Sequence, residues 1–319
     1  MKNLRLLSKQ CWDVKHFVYN QPVIFLLPFP CGIILDSKDP ANSITQYDVE
    51  ENLSHLMTLA RLALEKGDTE RAQAILQMGI KICEEYEVHV ALPYMYDVLA
   101  SISFALGNMS HAEHLLVSAI EKLIQLGTPE DDTQIVDFQL RLCRIYSAYN
   151  QKDLAEIGFQ DCLGKQKLKI LNGDTSTKTG MLYVNTLFWY GLHKIKSFDH
   201  ASAKKMLTSA YDYSMKIKGL SPYQEMVILY TLSDLYMQLG ENSAALQNMQ
   251  SAILLGKGIG STDLPRCYWK LAQIYINLGA WDNASESATE ASRLAELFGE
   301  AVLKSEIDET LRKIKDHKK

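Results

Sequence analysis

The chain has 319 residues, 47% of them hydrophobic, with a formal net charge of -5. That apolar content supports a continuous core, while the mild acidic balance gives no general attraction to phosphate backbones and argues against nucleic acid as a partner. The six cysteines, Cys11, Cys31, Cys83, Cys143, Cys162 and Cys267, lack the close pairing of zinc or redox motifs and are expected to be buried or inert thiols.

The chain opens with Lys2, Arg5, Lys9 and Lys15 around one acid, Asp13, a cationic character suited to mitochondrial import. From Phe17 to Leu35 no residue is charged, a length that in helix reaches about 28 Å, enough for a bilayer core. Pro22, Pro28 and Pro30 weigh against a straight helix, so a membrane anchor, a cleaved targeting segment and a disordered or packed leader all stay open. Residues 1–35 are thus expected to be a targeting and anchor segment, and 36–49 a linker.

A different grammar then takes over. Small residues recur in pairs seven apart, Ala72/Gly79, Ala112/Ala119, Ala155/Cys162, Ala203/Ala210, Ala245/Ala252 and Ala284/Ala291. Four of the lead positions follow a glycine by five residues: Gly67, Gly107, Gly240 and Gly279. Glycine ends one helix in the left-handed conformation, and a small residue lets the next helix pack closely against it. The spacing therefore predicts helical hairpins within one body, approximately 50–86, 92–127, 133–170, 180–218, 222–257 and 262–299.

Repeat two carries Tyr96, Leu99, Ala100 and Ser103 before Gly107, and Ala112, Leu116 and Ala119 after it; repeats five and six follow the same scheme. Repeat three has Asn150 at the turn, and repeat four loses the turn glycine in Lys196-Ser-Phe-Asp-His200. This pattern resembles the tetratricopeptide repeat. It implies an all-α tetratricopeptide-repeat α-solenoid of about six hairpins. The lead positions are 39 to 48 residues apart. The widest gap holds Gly164 to Gly180 and reads as a flexible connection. Residues 300–319, with Val302, Ile307, Leu311 and Ile314 among charged neighbours, read as a capping helix and tail.

Nothing in the sequence assembles an enzyme. His111-Ala-Glu-His114 offers two histidines without a third metal ligand and reads as a solvated helix start. Gly256-Lys-Gly-Ile-Gly260 has no preceding strand and no Gly-Lys-Ser/Thr ending, and reads as an inter-repeat loop. No nucleophile-elbow motif is present, and the sequons at Asn52, Asn108 and Asn283 fall in or beside helices. No catalytic residue, cofactor, metal or small-molecule substrate is therefore expected.

Binding is expected on the concave face lined by the first helix of each repeat, at Tyr94, Asp97, Phe104, Arg141, Arg144, Trp189, Tyr230, Asp234, Trp269, Lys270 and Gln273. Aromatic residues with arginine make good anchors for a protein partner. The alternative for Trp189 and Trp269 is stacking between adjacent repeats. The lysine and asparagine clamp that chaperone-tail binders carry is not found.

Two stretches carry a closer likeness: Tyr94 to Gly107 with His111 to Leu116, and Leu140 to Gln151 with Phe159 to Cys162. They resemble the tetratricopeptide repeat protein 19 family, and the likeness runs over the array, degenerate fourth repeat included. The resemblance implies a non-enzymatic, matrix-side repeat domain at the mitochondrial inner membrane. Its implied partners are subunits of respiratory complex III, including the Rieske iron-sulphur protein, and a mitochondrial protease that clears processed Rieske fragments. A soluble cytoplasmic adaptor resembling kinesin light chain is the competing reading.

Overall fold

The computed structural model describes residues 46–217 and 219–317, and the expected targeting and anchor segment lies outside them. Thirteen α-helices run through the described residues: α1 Gln46–Glu65, α2 Thr69–Glu85, α3 Leu92–Ala105, α4 Met109–Gln125, α5 Thr133–Ala148, α6 Lys152–Leu171, α7 Thr177–Lys196, α8 His200–Ser214, α9 Pro222–Gln238, α10 Asn242–Gly258, α11 Leu264–Asn277, α12 Trp281–Leu297 and α13 Ala301–His317. Within the two units, α1 packs on α2, α3 on α4, α7 on α8, α9 on α10 and α11 on α12 as helical hairpins, and α13 packs on α12, an all-helical repeat architecture of the class that the spacing predicts. α1 starts at Gln46, inside the segment expected to be linker.

The paired small residues lie at the helix contacts. Ala72, Ala112, Ala155, Ala203, Ala245 and Ala284 are all 0% exposed, as are Ala119, Cys162, Ala210, Ala252 and Ala291. A Cβ on Gly79 would stand 2.8 Å from the Met95 thioether, so a larger residue here requires the end of the Met95 side chain to shift. Between the pairs, Leu76, Phe159, Leu207 and Met249 fill the core.

Turn chemistry follows from register rather than residue type. Gly107, Gly240 and Gly279 take positive φ, and so do Asn150 (62°) and Phe198 (62°) at the turns without glycine. The reversal is demanded by the hairpin, so a bulky residue there bears the backbone cost. The amide of Asn108 bonds back to the Ser103 carbonyl, that of Asp199 to Lys194 and that of Glu241 to Tyr236, closing the same C-terminal motif in three hairpins.

Several local expectations need correction. The chain divides into two compact units, one up to Ile145 and one from Tyr146, rather than one body. The connection expected over Gly164 to Gly180 is helical as far as Leu171 and again from Thr177. Its remaining residues are tied down, because the Asp174 carboxylate accepts from the Ser176 amide (2.8 Å) and the Thr179 hydroxyl (2.6 Å). Gly256 likewise lies inside α10, where a Cβ would stand 2.9 Å from Leu264. In α13 the core side chains are Leu303, Ile307 and Ile314, whereas Val302 faces outward at 70% exposure. One residue of helical rotation, 100°, separates the two outcomes.

Candidate partner-binding surface

The first helices α3, α5, α7, α9 and α11 bear all the predicted contact residues: Tyr94, Asp97, Phe104, Arg141 and Arg144 in the first unit, and Trp189, Tyr230, Asp234, Trp269, Lys270 and Gln273 in the second. Tyr230 is buried and the other ten are half-buried. Arg141, Trp189 and Lys270 occupy one register, each nine residues before the turn residue of its hairpin.

The charged members meet each other. In the first unit the Arg141 guanidinium pairs with Asp97 on α3, reaches the Ser101 hydroxyl at 3.2 Å, and pairs with Asp137 one turn earlier on α5 at 3.0 Å. Burial works against this cation, but the Asp137 and Asp97 carboxylates outweigh it and hold Arg141 firmly protonated. Burial also pushes the Asp97 carboxyl up, despite the cation beside it. Arg144 lies over the Phe104 ring, 5.2 Å from its centroid, and burial together with the Arg141 charge draws it down to about 9.

In the second unit the Lys270 ammonium donates to Asp234 on α9 at 2.7 Å. The Trp269 indole N–H donates to the Thr310 hydroxyl of α13 at 3.0 Å, tying the last hairpin to the final helix. Trp189 stands edge-on to Phe188 with centroids 5.6 Å apart. These contacts give both tryptophans packing roles within the fold. They leave part of each ring accessible.

One polar cluster has no counterpart in the sequence reading. In the second unit His193, 4% exposed, bonds through Nδ1 to the Ser147 hydroxyl at 2.9 Å, while its Nε2 lies 3.6 Å from Glu156. Glu156 also accepts from the Tyr190 hydroxyl and from Lys194 (2.9 Å), and Lys196 donates to the carbonyls of Ser147 and Ala148. Serine, histidine and glutamate are the residue types of a nucleophilic triad. Here the imidazole is wedged against the Phe159 ring, with centroids 5.5 Å apart, and burial lowers its pKa. Hydrogen bonds from Lys194 and Tyr190 outweigh burial and lower the Glu156 pKa. The arrangement ties α6 to α7, and α7 to Ser147 and Ala148. Its members are up to 49 residues apart in pairing, so no local motif announces it.

The remaining motifs resolve into structure. His111 Nδ1 bonds to the Ser103 hydroxyl at 2.9 Å, joining α4 to α3 rather than standing in solvent. Among the described residues no group of three or more histidines, cysteines or acids is placed to hold a metal. Cys83, Cys143, Cys162 and Cys267 are buried, and burial raises the Cys83 thiol to about 12. Among the described residues no helix is long and apolar enough to cross a membrane.

Helical hairpins with small buried residues at their contacts, left-handed turns and first helices bearing the accessible polar and aromatic groups define a tetratricopeptide-repeat protein of the scaffold or adaptor class. Its curated homologues are named tetratricopeptide repeat protein 19, mitochondrial. The mouse protein is 25% identical over 84% of this chain and 76% of its own length, and the human protein 24% identical over 84% and 73%. The resemblance carried by the Tyr94 and Leu140 stretches is therefore borne out. No protein-family model matches the chain. Among solved structures, BtubC from P. vanneervenii is similar with a TM-score of 0.57 and 16% identity, covering 79% of this chain and 92% of that one. Kinesin light chain TPR-like repeats from Podosopora anserina give 0.52 and 15%, covering 66% and 96%. At such identities these two share the fold alone.

Proposed function

We propose that this protein is a non-enzymatic scaffold and quality-control factor for mitochondrial respiratory complex III, acting at the inner membrane with its repeats on the matrix side. In this reading the first-helix faces dock on complex III subunits, the Rieske iron-sulphur protein among them, and help a protease clear processed Rieske fragments. The observation that carries the reading is the extent of the likeness to proteins named mitochondrial, about a quarter identity across some four fifths of the chain. A non-catalytic role fits the buried, inter-helix use of His193, Ser147 and Glu156.

Removing the protein from cells should lower complex III activity and leave complex II activity intact. Unchanged complex III activity would overturn the proposal. Alkaline carbonate extraction of the full chain tests the location, since an inner-membrane protein stays in the mitochondrial pellet. A diffuse cytosolic distribution would favour the kinesin-light-chain-like adaptor instead.

A further inference from the structure

Helix α6 is apolar on two sides. Ala155, Phe159, Cys162 and Gln166 are buried in the fold. On the outer side Leu154, Ile157, Leu168 and Leu171 are 53%, 65%, 59% and 72% exposed. Among the described residues no other second helix of a hairpin exposes more than two large apolar side chains. Such a stripe in water signals a partner.

The stripe is symmetric about its own centre. Its members at helical spacing are Leu154, Ile157, Asp161, Gly164, Leu168 and Leu171. Reversing the helix about the midpoint of Asp161 and Gly164 places Leu154 opposite Leu171, Ile157 opposite Leu168, and Asp161 opposite Gly164. Self-complementarity of this kind is what a two-fold interface requires, because every contact is made twice. The charges obey the same symmetry. Lys152, Asp153 and Asp161 lie in the first part of α6, where Glu156 is already engaged by Lys194 and Tyr190, and Lys165, Lys167 and Lys169 lie in the last, so an antiparallel copy brings the half bearing Asp153 and Asp161 to the basic half.

The central pair sharpens the match. Gly164 has open space around its Cα, leaving room for a facing carboxylate. Asp161 pairs with Lys165 of its own helix at 2.6 Å, and the same lysine lies level with Asp161 of an antiparallel copy. We propose that the outer face of α6 binds a second copy of this chain, helix against helix in antiparallel orientation, with two Asp161 to Lys165 pairs bridging the copies. The contact length is that of α6, about 30 Å, and the buried area is on the order of 1,000 Å², the size of a weak, reversible association.

Sedimentation equilibrium of the full chain in mild detergent tests this. The expected result is a monomer–dimer equilibrium at concentrations on the order of 100 µM or below. Ile157→Glu should abolish it without lowering the melting temperature. Asp161→Lys should weaken it by about tenfold, since four lysines then crowd the two-fold axis, and Asp161→Lys with Lys165→Asp in the same chain should restore it. That rescue distinguishes self-association through α6 from micelle-driven association through residues 17–35. A chain that remains monomeric, or a dimer indifferent to Asp161→Lys or not rescued by the double exchange, overturns the proposal.

Discussion

Arg141 and Lys270 occupy the same register in their hairpins and both reach back to an aspartate on the preceding first helix, yet the contacts they make are not equivalent. Arg141 binds two carboxylates and a hydroxyl and places its guanidinium 5.7 Å from the centre of the Phe138 ring. Lys270 makes its ion pair with Asp234, whose other oxygen accepts from Gln238. A planar fork organises several acceptors at once, whereas an ammonium acts as a point charge. The repeat sets where a cation stands, and the residue type sets the geometry with which it holds its acceptors.

That contrast can be broken most forcefully at Arg141. Arg141→Ala should cost about 2 to 3 kcal/mol of unfolding free energy by urea titration, because it leaves Asp97 and Asp137 together in a half-buried site. Lys270→Ala removes one partner of Asp234, which still accepts from Gln238, and should cost about 1 kcal/mol. Arg141→Lys sharpens the point: keeping the charge but losing the fork, it should also cost about 1 kcal/mol, and a value near zero would show that the fork is irrelevant.

Smaller effects separate backbone from side chain in the second unit. Phe198→Gly relieves a left-handed backbone on an exposed residue at the expense of unfolded-state entropy, and should raise stability by about 0.5 kcal/mol. The faintest effect is a pH dependence. Burial holds His193 below its ordinary 6.5, so the unfolded chain takes up the additional proton as pH falls. The contribution is therefore fully present above about 6.5 and is lost on acidification toward the lowered folded value, with the nearby Glu156 softening the slope. Stability measured between pH 7.5 and 5.5 should decline, and His193→Asn should flatten that decline.

The parts legible in the sequence share a physical basis. A small residue at a helix crossing reports a contact distance directly, so the alanine pairs located the hairpins. Phe198 was legible as a turn position because its neighbours fixed the register, even though its side chain argued otherwise. Gly164 and Gly256 misled, because glycine in a helix looks like a break unless the flanking stripe is weighed against it. The final helix was found, but Val302 was placed inward where Leu303 lies, since two adjacent apolar residues do not reveal which one faces the core.

Residue order alone thus determined a tetratricopeptide-repeat array and its likeness to mitochondrial homologues, because periodicity and packing size are local properties of a helix. Tertiary structure decided which charges meet. Arg141 finds Asp97 across 44 residues and His193 finds Ser147 across 46, distances at which no spacing rule operates. It also decided that α6 keeps a second apolar face in water, since only the packed fold shows which of its two stripes is covered.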